Sequence, residues 1–271
     1  MYKNWGKAYC ISWWGDESNK NSLPEQQIAQ CAAPCPPIVN YPFSSNAELQ
    51  TAADLWITDN TSAICTYGAI NTWDVSAITD MRDLFKNRSN FNNNISSWDV
   101  SNVTDMQSMF YGASSFNQGL NSWDVSSVII MNYMFYNASS FNKGLNNWNV
   151  SNVQNMGSMF NGASSFNGNI SSWDVSNVNA FTFMFTNATI FNKNLSSWNV
   201  VSVGDATNVF VGTALSTTNY DAILNGWSAL TVKTNVQFGA GTVKYSAAGQ
   251  TARGVLTSAP NLWVITDGGI V

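Results

Sequence analysis

The chain has 271 residues, a length that is enough for one elongated domain or a core with two caps. Of these residues, 45% are hydrophobic and only 10% are charged. Its net charge of −5, without a basic patch, excludes nucleic acid as an expected partner, and the lack of a long apolar run excludes membrane insertion. The absence of histidine removes Ser-His-Asp, Cys-His and most zinc-hydrolase mechanisms.

Residues 1–65 are expected to form an N-terminal cap. They begin with MYKNWGKAYCISWWGDESNK, which lacks the long apolar core of a signal peptide. We therefore expect either that a signal was removed or that the protein reaches its location by another route. A proline-rich loop, CAAPCPPIVNYP, then precedes a predicted helix around Ala47–Trp56.

All four cysteines precede the main part of the chain, at Cys10, Cys31, Cys35 and Cys65. Four cysteines allow three disulfide pairings. The favoured hypothesis is one or two disulfides that stabilise the cap in an oxidising environment. Free buried thiols are one alternative. A four-cysteine zinc site is another, because Cys31 and Cys35 are spaced as in a helical turn or a short loop.

Residues 66–215 consist of six copies of a 25-residue repeat. The second copy reads SSWDVSNVTDMQSMFYGASSFNQGL and the third reads NSWDVSSVIIMNYMFYNASSFNKGL. One tryptophan marks each copy: Trp73, Trp98, Trp123, Trp148, Trp173 and Trp198. Valine and phenylalanine columns keep the same step without an insertion, which indicates a repeat architecture.

The apolar pattern changes period within one repeat. Trp123 and Val125 alternate with polar residues, which predicts a half-buried strand. Val103, Met106 and Phe110 fall at steps of three and four, which predicts one or two helical turns. A unit this small cannot bury its own apolar face, so we expect the copies to stack into a solenoid.

The tryptophan ladder has two interpretations. Exposed aromatic rows bind sugars by stacking, whereas inward-facing rings form a core. Each tryptophan takes an inward position of the strand pattern, so we interpret the ladder as stacked core, worth roughly 1.5–3 kcal/mol for each buried ring. The methionine columns are interpreted as adaptable core filler rather than as a metal or partner site.

Residues 216–271 are expected to cap the other end of the array. The sequence predicts a helix in NYDAILNGWSAL, a strand near VQFG, a helix near AAGQTARGVLTS and a strand in LWVITD. An open end would expose apolar core and strand edges, so caps are required for solubility.

The order L-x-x-W-x-V, followed by V-T-x-M-x-x-M-F-x-G-A-x-x-F, resembles the BspA-like leucine-rich repeats of bacterial surface proteins. It is most similar to the Trp-Asp-Val, Met-Phe variant, and the resemblance covers about residues 66–215. It implies an α/β fold: a right-handed, leucine-rich-repeat-like solenoid of strand-plus-short-helix coils. It also implies adhesion or recognition at a surface, and no catalytic residues.

Outward positions of the predicted strand form polar columns with ligand-type groups. The candidate binding residues are Asp74, Asp99, Asp124 and Asp174 in one column, and Ser101, Ser126, Ser151 and Ser176 in another. At a spacing of about 4.8 Å they would make a flat face about 25 Å long, suited to carbohydrate hydroxyls, a divalent cation or a protein partner. The alternative is a solvated face without a ligand. The stacked aspartates should repel one another, which suggests bound cations, hydrogen bonds from the adjacent serines, or tolerance of the repulsion in solvent.

An enzyme is not expected, and no cofactor is predicted. The acidic residues fall in repeat columns rather than in a unique catalytic pair, and no phosphate loop or dinucleotide fingerprint occurs. The expected function is adhesion or recognition, with a surface glycan or a protein as partner, at an extracellular or cell-surface location.

A second hypothesis is a structural or host-recognition protein of a virus particle, with other copies of itself or virion proteins as partners. Ice binding and glycan degradation are more remote alternatives. The aspartate column argues against ice binding, because charged groups hold their own water.

Overall fold

The computed structural model describes Cys35 and residues 37–271. Two helices come first, α1 (Asn46–Thr58) and α2 (Asn60–Tyr67), followed by a 3-10 turn at Ile70–Thr72. Ser45 caps α1 and Asp59 caps α2, because each side chain accepts a hydrogen bond from a backbone N–H in the first helical turn. The helix predicted around Ala47–Trp56 lies within α1.

A disulfide joins Cys35 to Cys65 of α2, with the two Cα atoms 4.8 Å apart. It fixes the chain that precedes α1 to the second helix of the cap. Cys10 and Cys31 lie outside the described residues, so a second disulfide stays a prediction. Within the described part of the chain, no three His, Cys, Asp or Glu side chains are grouped so that they could hold a metal ion.

The repeats stack through a line of parallel β-bridges, which join one residue of each copy to the equivalent residue of the next. The bridged residues are Asp80, Asp105, Ile130, Asn155, Ala180 and Asp205. Hydrogen bonds run in both directions along this line: the Met106 N–H donates to the Ile130 carbonyl at 3.0 Å, and the Ile129 N–H donates to the Thr104 carbonyl at 2.8 Å. We call the surface along this line, made by residues 104–112 and their equivalents, the ladder surface.

The line continues into a three-stranded parallel sheet in the order β1 (Asp205–Ala206), β2 (Gln237–Gly239) and β3 (Val264–Thr266). Asp205 pairs with Gln237, and Gln237 pairs with Val264. One parallel ladder therefore runs from the first repeat into the C-terminal cap.

The interior of each repeat differs from the predicted strand and helical turns. Residues 73–204 of the described chain contain no α-helix and no strand longer than a single bridge. Instead, tight turns follow one another: the Met109 N–H donates to the Met106 carbonyl and the Tyr111 N–H to the Ser108 carbonyl. Ser108 and Gly112 have left-handed φ values of +54° and +66°, which a right-handed helix cannot accommodate. The class and handedness of the solenoid stay predictions.

The apolar columns form a continuous core. The six repeat tryptophans are only 1–3% exposed. Trp148 and Trp173 stack with ring centroids 6.2 Å apart, and Phe135 and Phe160 stack at 5.4 Å. Each indole N–H also finds an acceptor; that of Trp148, for example, donates to the Leu120 carbonyl of the preceding repeat at 2.8 Å. Burial therefore leaves these donors paired.

The C-terminal cap consists of α3 (Thr217–Ser228), β2, α4 (Ala247–Thr257) and β3, at the places that the sequence predicted. The Trp227 indole donates to the Leu195 carbonyl at 3.1 Å, as a repeat tryptophan would. Gly226 permits this approach, because a Cβ there would lie 2.2 Å from the Ser196 carbonyl oxygen. No helix in the described residues is long and apolar enough to span a membrane.

Candidate functional site

The predicted polar residues lie in one row along the outside of the array, at the turn that follows each tryptophan. We call this row, made by Asp74, Asp99, Asp124, Asp174 and the serines two positions later, the aspartate row. Asp99, Asp124 and Asp174 are exposed, whereas Asp74 and the serines are half-buried. The structure therefore brings the predicted residues together in regular order.

Each acidic residue of the row also has a local structural role. Asp99 Oδ1 accepts hydrogen bonds from the Ser101 backbone N–H at 3.1 Å and from its hydroxyl at 2.6 Å. Asn149 does the same with Ser151, at 3.2 and 2.8 Å. These are Asx turns, in which a short polar side chain stabilises the backbone two residues later. Hydrogen bonds from the adjacent serine were one of the possibilities that the sequence raised, and the D-V-S and N-V-S spacing is the signal that specifies the turn.

At Asp74 and Asp124 the turn favours the charged carboxylate. The Ser76 hydroxyl and backbone N–H hold the pKa of Asp74 below its usual value, because both donate to the ionised form. Ser126 lowers the pKa of Asp124 in the same way. These hydrogen bonds offset the repulsion expected between neighbouring aspartates.

In each exposed aspartate of the row, the turn uses only one of the two carboxylate oxygens. In Asp99, Asp124 and Asp174 the turn uses Oδ1, and Oδ2 makes no hydrogen bond to any described residue. An Oδ2 atom of this kind is a free acceptor for a hydroxyl group. The row therefore offers acceptors at a regular step, interrupted at Asn149.

Asparagines next to the row fix its spacing. The Asn152 amide donates to the Ser126 carbonyl of the preceding repeat at 2.7 Å, and the Asn177 amide donates to the Ser151 carbonyl at 2.7 Å. Asn102 makes the equivalent bond to Ser76 at 2.8 Å. Each of these bonds ties two successive turns together, so the row is rigid before any ligand arrives.

A charged cluster lies elsewhere, at the first two bridges of the ladder surface. Arg82 Nη2 is 2.6 Å from Asp80 Oδ2, and Arg82 Nε is 3.6 Å from Asp105 Oδ2. Burial raises the pKa of Asp105, although the Gln107 N–H and the Arg82 charge oppose the rise. Sequence reasoning did not single out this cluster, in which the Arg82 guanidinium pairs with the carboxylates of Asp80 and Asp105.

A cavity of about 450 Å³ lies between α1 and the first repeat, lined by Trp56, Arg88 and several asparagines. Its main polar groups already have partners: Arg88 pairs with Asp54, and the Trp56 indole donates to Asn93 Oδ1 at 3.1 Å. No sequence pattern indicates this cavity, because its lining comes from segments far apart in the chain.

Comparison with known families identifies a match for the repeat array. The family model described as "Mycoplasma protein of unknown function, DUF285" matches residues 54–156 and, overlapping them, residues 125–227. Together the two matches include all six repeat tryptophans and more than half of the chain. No curated protein and no solved structure matches the chain significantly.

Proposed function

We propose that this chain, which belongs to the family of Mycoplasma proteins of unknown function designated DUF285, is a non-enzymatic recognition module that binds an extended glycan. The aspartate row is its binding surface. Assignment to the BspA-like leucine-rich-repeat proteins, and an extracellular or cell-surface location, belong to the same proposal. The Cys35–Cys65 disulfide supports an oxidising location.

The observation that carries this proposal is the free Oδ2 acceptor on successive exposed turns of a rigid row. Asp99 and Asp124 belong to adjacent repeats, and Asp174 follows two repeats later. Weak contacts in register add through multivalency, so a ligand with repeated hydroxyl groups suits this surface best. Because the turns are already ordered, little conformational entropy is lost on binding.

The test changes the charge of the row without changing its turns. Asp99, Asp124 and Asp174 are replaced together by asparagine, which already makes the same Asx turn at Asn149. We expect the wild type to bind glycans on a microarray and the triple variant to bind at least about tenfold more weakly, while the melting temperature stays the same.

The matched control is Asp83→Asn, which removes an exposed carboxylate that lies outside the row and pairs with Lys86 at 3.0 Å. It should bind like the wild type. Equal binding by the triple variant would remove the row from consideration. Failure of the wild type to bind any glycan would contradict the proposed function and favour a structural role.

A further inference from the structure

The first repeat departs from its copies beside the N-terminal cap. Arg88 stands in a column that is alanine in each of the next four repeats, and Asn90 stands where the next three repeats have serine. Both residues line the cavity of about 450 Å³ between α1 and the first repeat, which we call the cap cleft. Its cap wall consists of Trp56, Ile57 and Asn60, and its repeat wall consists of residues 87–91 and Asn93. The first repeat therefore differs from the others where it faces this cavity.

Side-chain contacts hold the two walls of the cap cleft in place. Arg88 pairs with Asp54 of α1, and the Trp56 indole donates to Asn93 Oδ1 at 3.1 Å. Asp54 is fixed in turn, because its Oδ1 atom accepts a hydrogen bond from the Gln50 amide at 3.2 Å. The walls are therefore positioned before a ligand arrives, and little conformational entropy is lost on binding.

Four asparagines line the cap cleft and keep hydrogen-bonding capacity. The side chains of Asn60, Asn87 and Asn90 make no hydrogen bond to any described residue. Asn93 uses its Oδ1 atom for Trp56, which leaves its amide nitrogen available as a donor. All four residues are exposed, so a ligand can reach them from solvent. An amide group both donates and accepts hydrogen bonds, and so does a hydroxyl group, so these side chains match a ligand rich in hydroxyls.

The charge of the cap cleft favours a neutral ligand. Among the described residues that line it, Arg88 alone is charged, and Asp54 neutralises its guanidinium. Trp56 and Ile57 make part of the wall apolar, and Ile57 is 36% exposed. A pyranose ring has hydroxyls around its edge and apolar C–H faces, so it fits both parts of this lining. The volume lies within the range of small-molecule sites in proteins.

The packing of the cap explains only part of the lining. Arg88 and Trp56 join the cap to the array, and the left-handed φ of +58° at Asn87 suits an asparagine. Asn90 has none of these roles, since its exposed amide has no hydrogen-bond partner among the described residues. The next three repeats fold with serine at this position. Ligand recognition gives the Asn90 amide a role that packing does not.

We propose that the cap cleft is a second binding site, which holds one neutral sugar ring. The amides of Asn87, Asn90 and Asn93 bind its hydroxyls, and its apolar face lies toward Trp56 and Ile57. This site shares no residue with the aspartate row. It binds a single ring whether or not the row binds an extended glycan.

The test titrates the full chain with the methyl glycosides of glucose, galactose, mannose and N-acetylglucosamine, and with glucuronic acid as a charged counterpart. Saturation-transfer NMR and calorimetry measure binding. Asn87→Gly and Asn90→Ser are combined, because the second repeat has Gly112 and Ser115 in those columns. We expect the wild type to bind at least one of the four neutral glycosides, and the double variant to bind it at least about fivefold more weakly.

The matched control is Asn137→Gly, which makes the same change in the same column of the third repeat, away from the cap cleft. It should bind like the wild type. The proposal is overturned if none of the four neutral glycosides binds, if the double variant binds as the wild type does, or if glucuronic acid alone binds. The triple asparagine variant of the aspartate row separates the two sites. Loss of glycoside binding in that variant, with the double variant unaffected, would place the sugar on the row and overturn the proposal.

Discussion

The indole of Trp123 both fills the core and joins two repeats, because its N–H donates to the Ile95 carbonyl at 3.1 Å. Trp123→Ala should lower the free energy of unfolding by about 3–5 kcal/mol. Trp123→Phe keeps much of the buried area and removes one of two donors to the Ile95 carbonyl, which still accepts from the Trp98 N–H at 3.1 Å, so we expect a smaller loss of about 0.5–1.5 kcal/mol. Urea unfolding measures both, and an unchanged midpoint for Trp123→Ala would contradict the core role of the ladder.

Asp99 provides a second prediction, on the structural role of the aspartate row. Asp99→Asn should leave the melting temperature almost unchanged, because Asn149 makes the same turn. Asp99→Ala removes the acceptor of both Ser101 hydrogen bonds and should cost about 0.5–1.5 kcal/mol. Thermal unfolding of the two variants side by side distinguishes the turn from the charge. Equal loss in both variants would show that charge, not the turn, stabilises this position.

Sequence reasoning at the level of single residues was better for apolar positions than for polar ones. Alternation around Trp123 and Val125 placed both side chains inward, where the structure has them. The same pattern placed Asp124 outward, and it left the hydrogen bond that Asp124 accepts from Ser126 as one of several possibilities. The alternation pattern predicts that an outward side chain is exposed to solvent. It does not predict which backbone group that side chain binds.

The tight turn, rather than a helix or a strand, is the structural element of the repeat. In its second left-handed column, asparagine and glycine alternate: Asn87, Gly112, Asn137, Gly162, Asn187 and Gly212. A Cβ on Gly162 would lie 1.9 Å from Asn137 Oδ1, and one on Gly112 would lie 2.7 Å from Asn87 Oδ1. Each asparagine side chain therefore occupies the space that a side chain would need at the glycine of the next repeat.

Gly162→Ala should lower the free energy of unfolding by about 1–2 kcal/mol for the left-handed backbone alone, at a φ of +71°, with a further loss from the contact with Asn137. In an Asn137→Gly background only the backbone cost should remain. A double-mutant cycle by chemical denaturation measures the difference. Equal effects of Gly162→Ala in both backgrounds would rule out the contact between the two residues.

The predicted helical turns failed for a physical reason. Met106, Met109 and Phe110 fall at steps of three and four, and consecutive turns closed by bonds such as Met109 to Met106 reproduce that spacing. The helix and the turns differ in where the backbone N–H groups bond. The Phe110 N–H donates to Met134 of the next repeat at 2.9 Å, a contact that a pattern within one repeat cannot show. The C-terminal cap follows ordinary helix and strand patterns, and its elements were predicted correctly, whereas α2 of the N-terminal cap was not predicted.

For the whole molecule, the position of the array could be predicted from the sequence, but the junctions with its caps could not. Helix α2 ends at Tyr67, beyond the expected end of the cap at residue 65. At the other end, the Trp227 indole reaches Leu195 from a helix, so this tryptophan lies off the 25-residue step. Periodicity locates the copies, whereas a cap meets the array through contacts that occur once.

The charges of the whole molecule predict a broad plateau of stability between about pH 5 and 9. Several carboxyl groups have pKa values lowered in the fold: Glu48, Asp59, Asp74, Asp80 and Asp124. Their stabilisation is present above the unfolded values of about 4 and is lost as the pH falls through the lower folded values. Asp105, whose pKa is raised by burial, has the opposite effect.

At alkaline pH the stability falls as the pH rises, opposite to its change at acidic pH. Burial, with the nearby Asp267 charge, raises the pKa of Tyr220, so its contribution is complete below its unfolded value of about 10 and declines above it. Chemical denaturation from pH 3 to 11 should therefore show losses only at the two ends. A steep change between about pH 6 and 8 would contradict this, because the chain has no histidine.

The most direct test of the proposed function is the dependence of affinity on ligand length. The glycan that binds best on the microarray is prepared as a series of two to eight sugar units, and each is titrated into the wild type and the triple asparagine variant. Multivalent binding along the row predicts that Kd falls with each added unit until the ligand spans the three ladder steps from Asp99 to Asp174, about 14 Å, and that the variant loses this gain. The same affinity for short and long ligands, or the same length dependence in the variant, would contradict binding by the aspartate row.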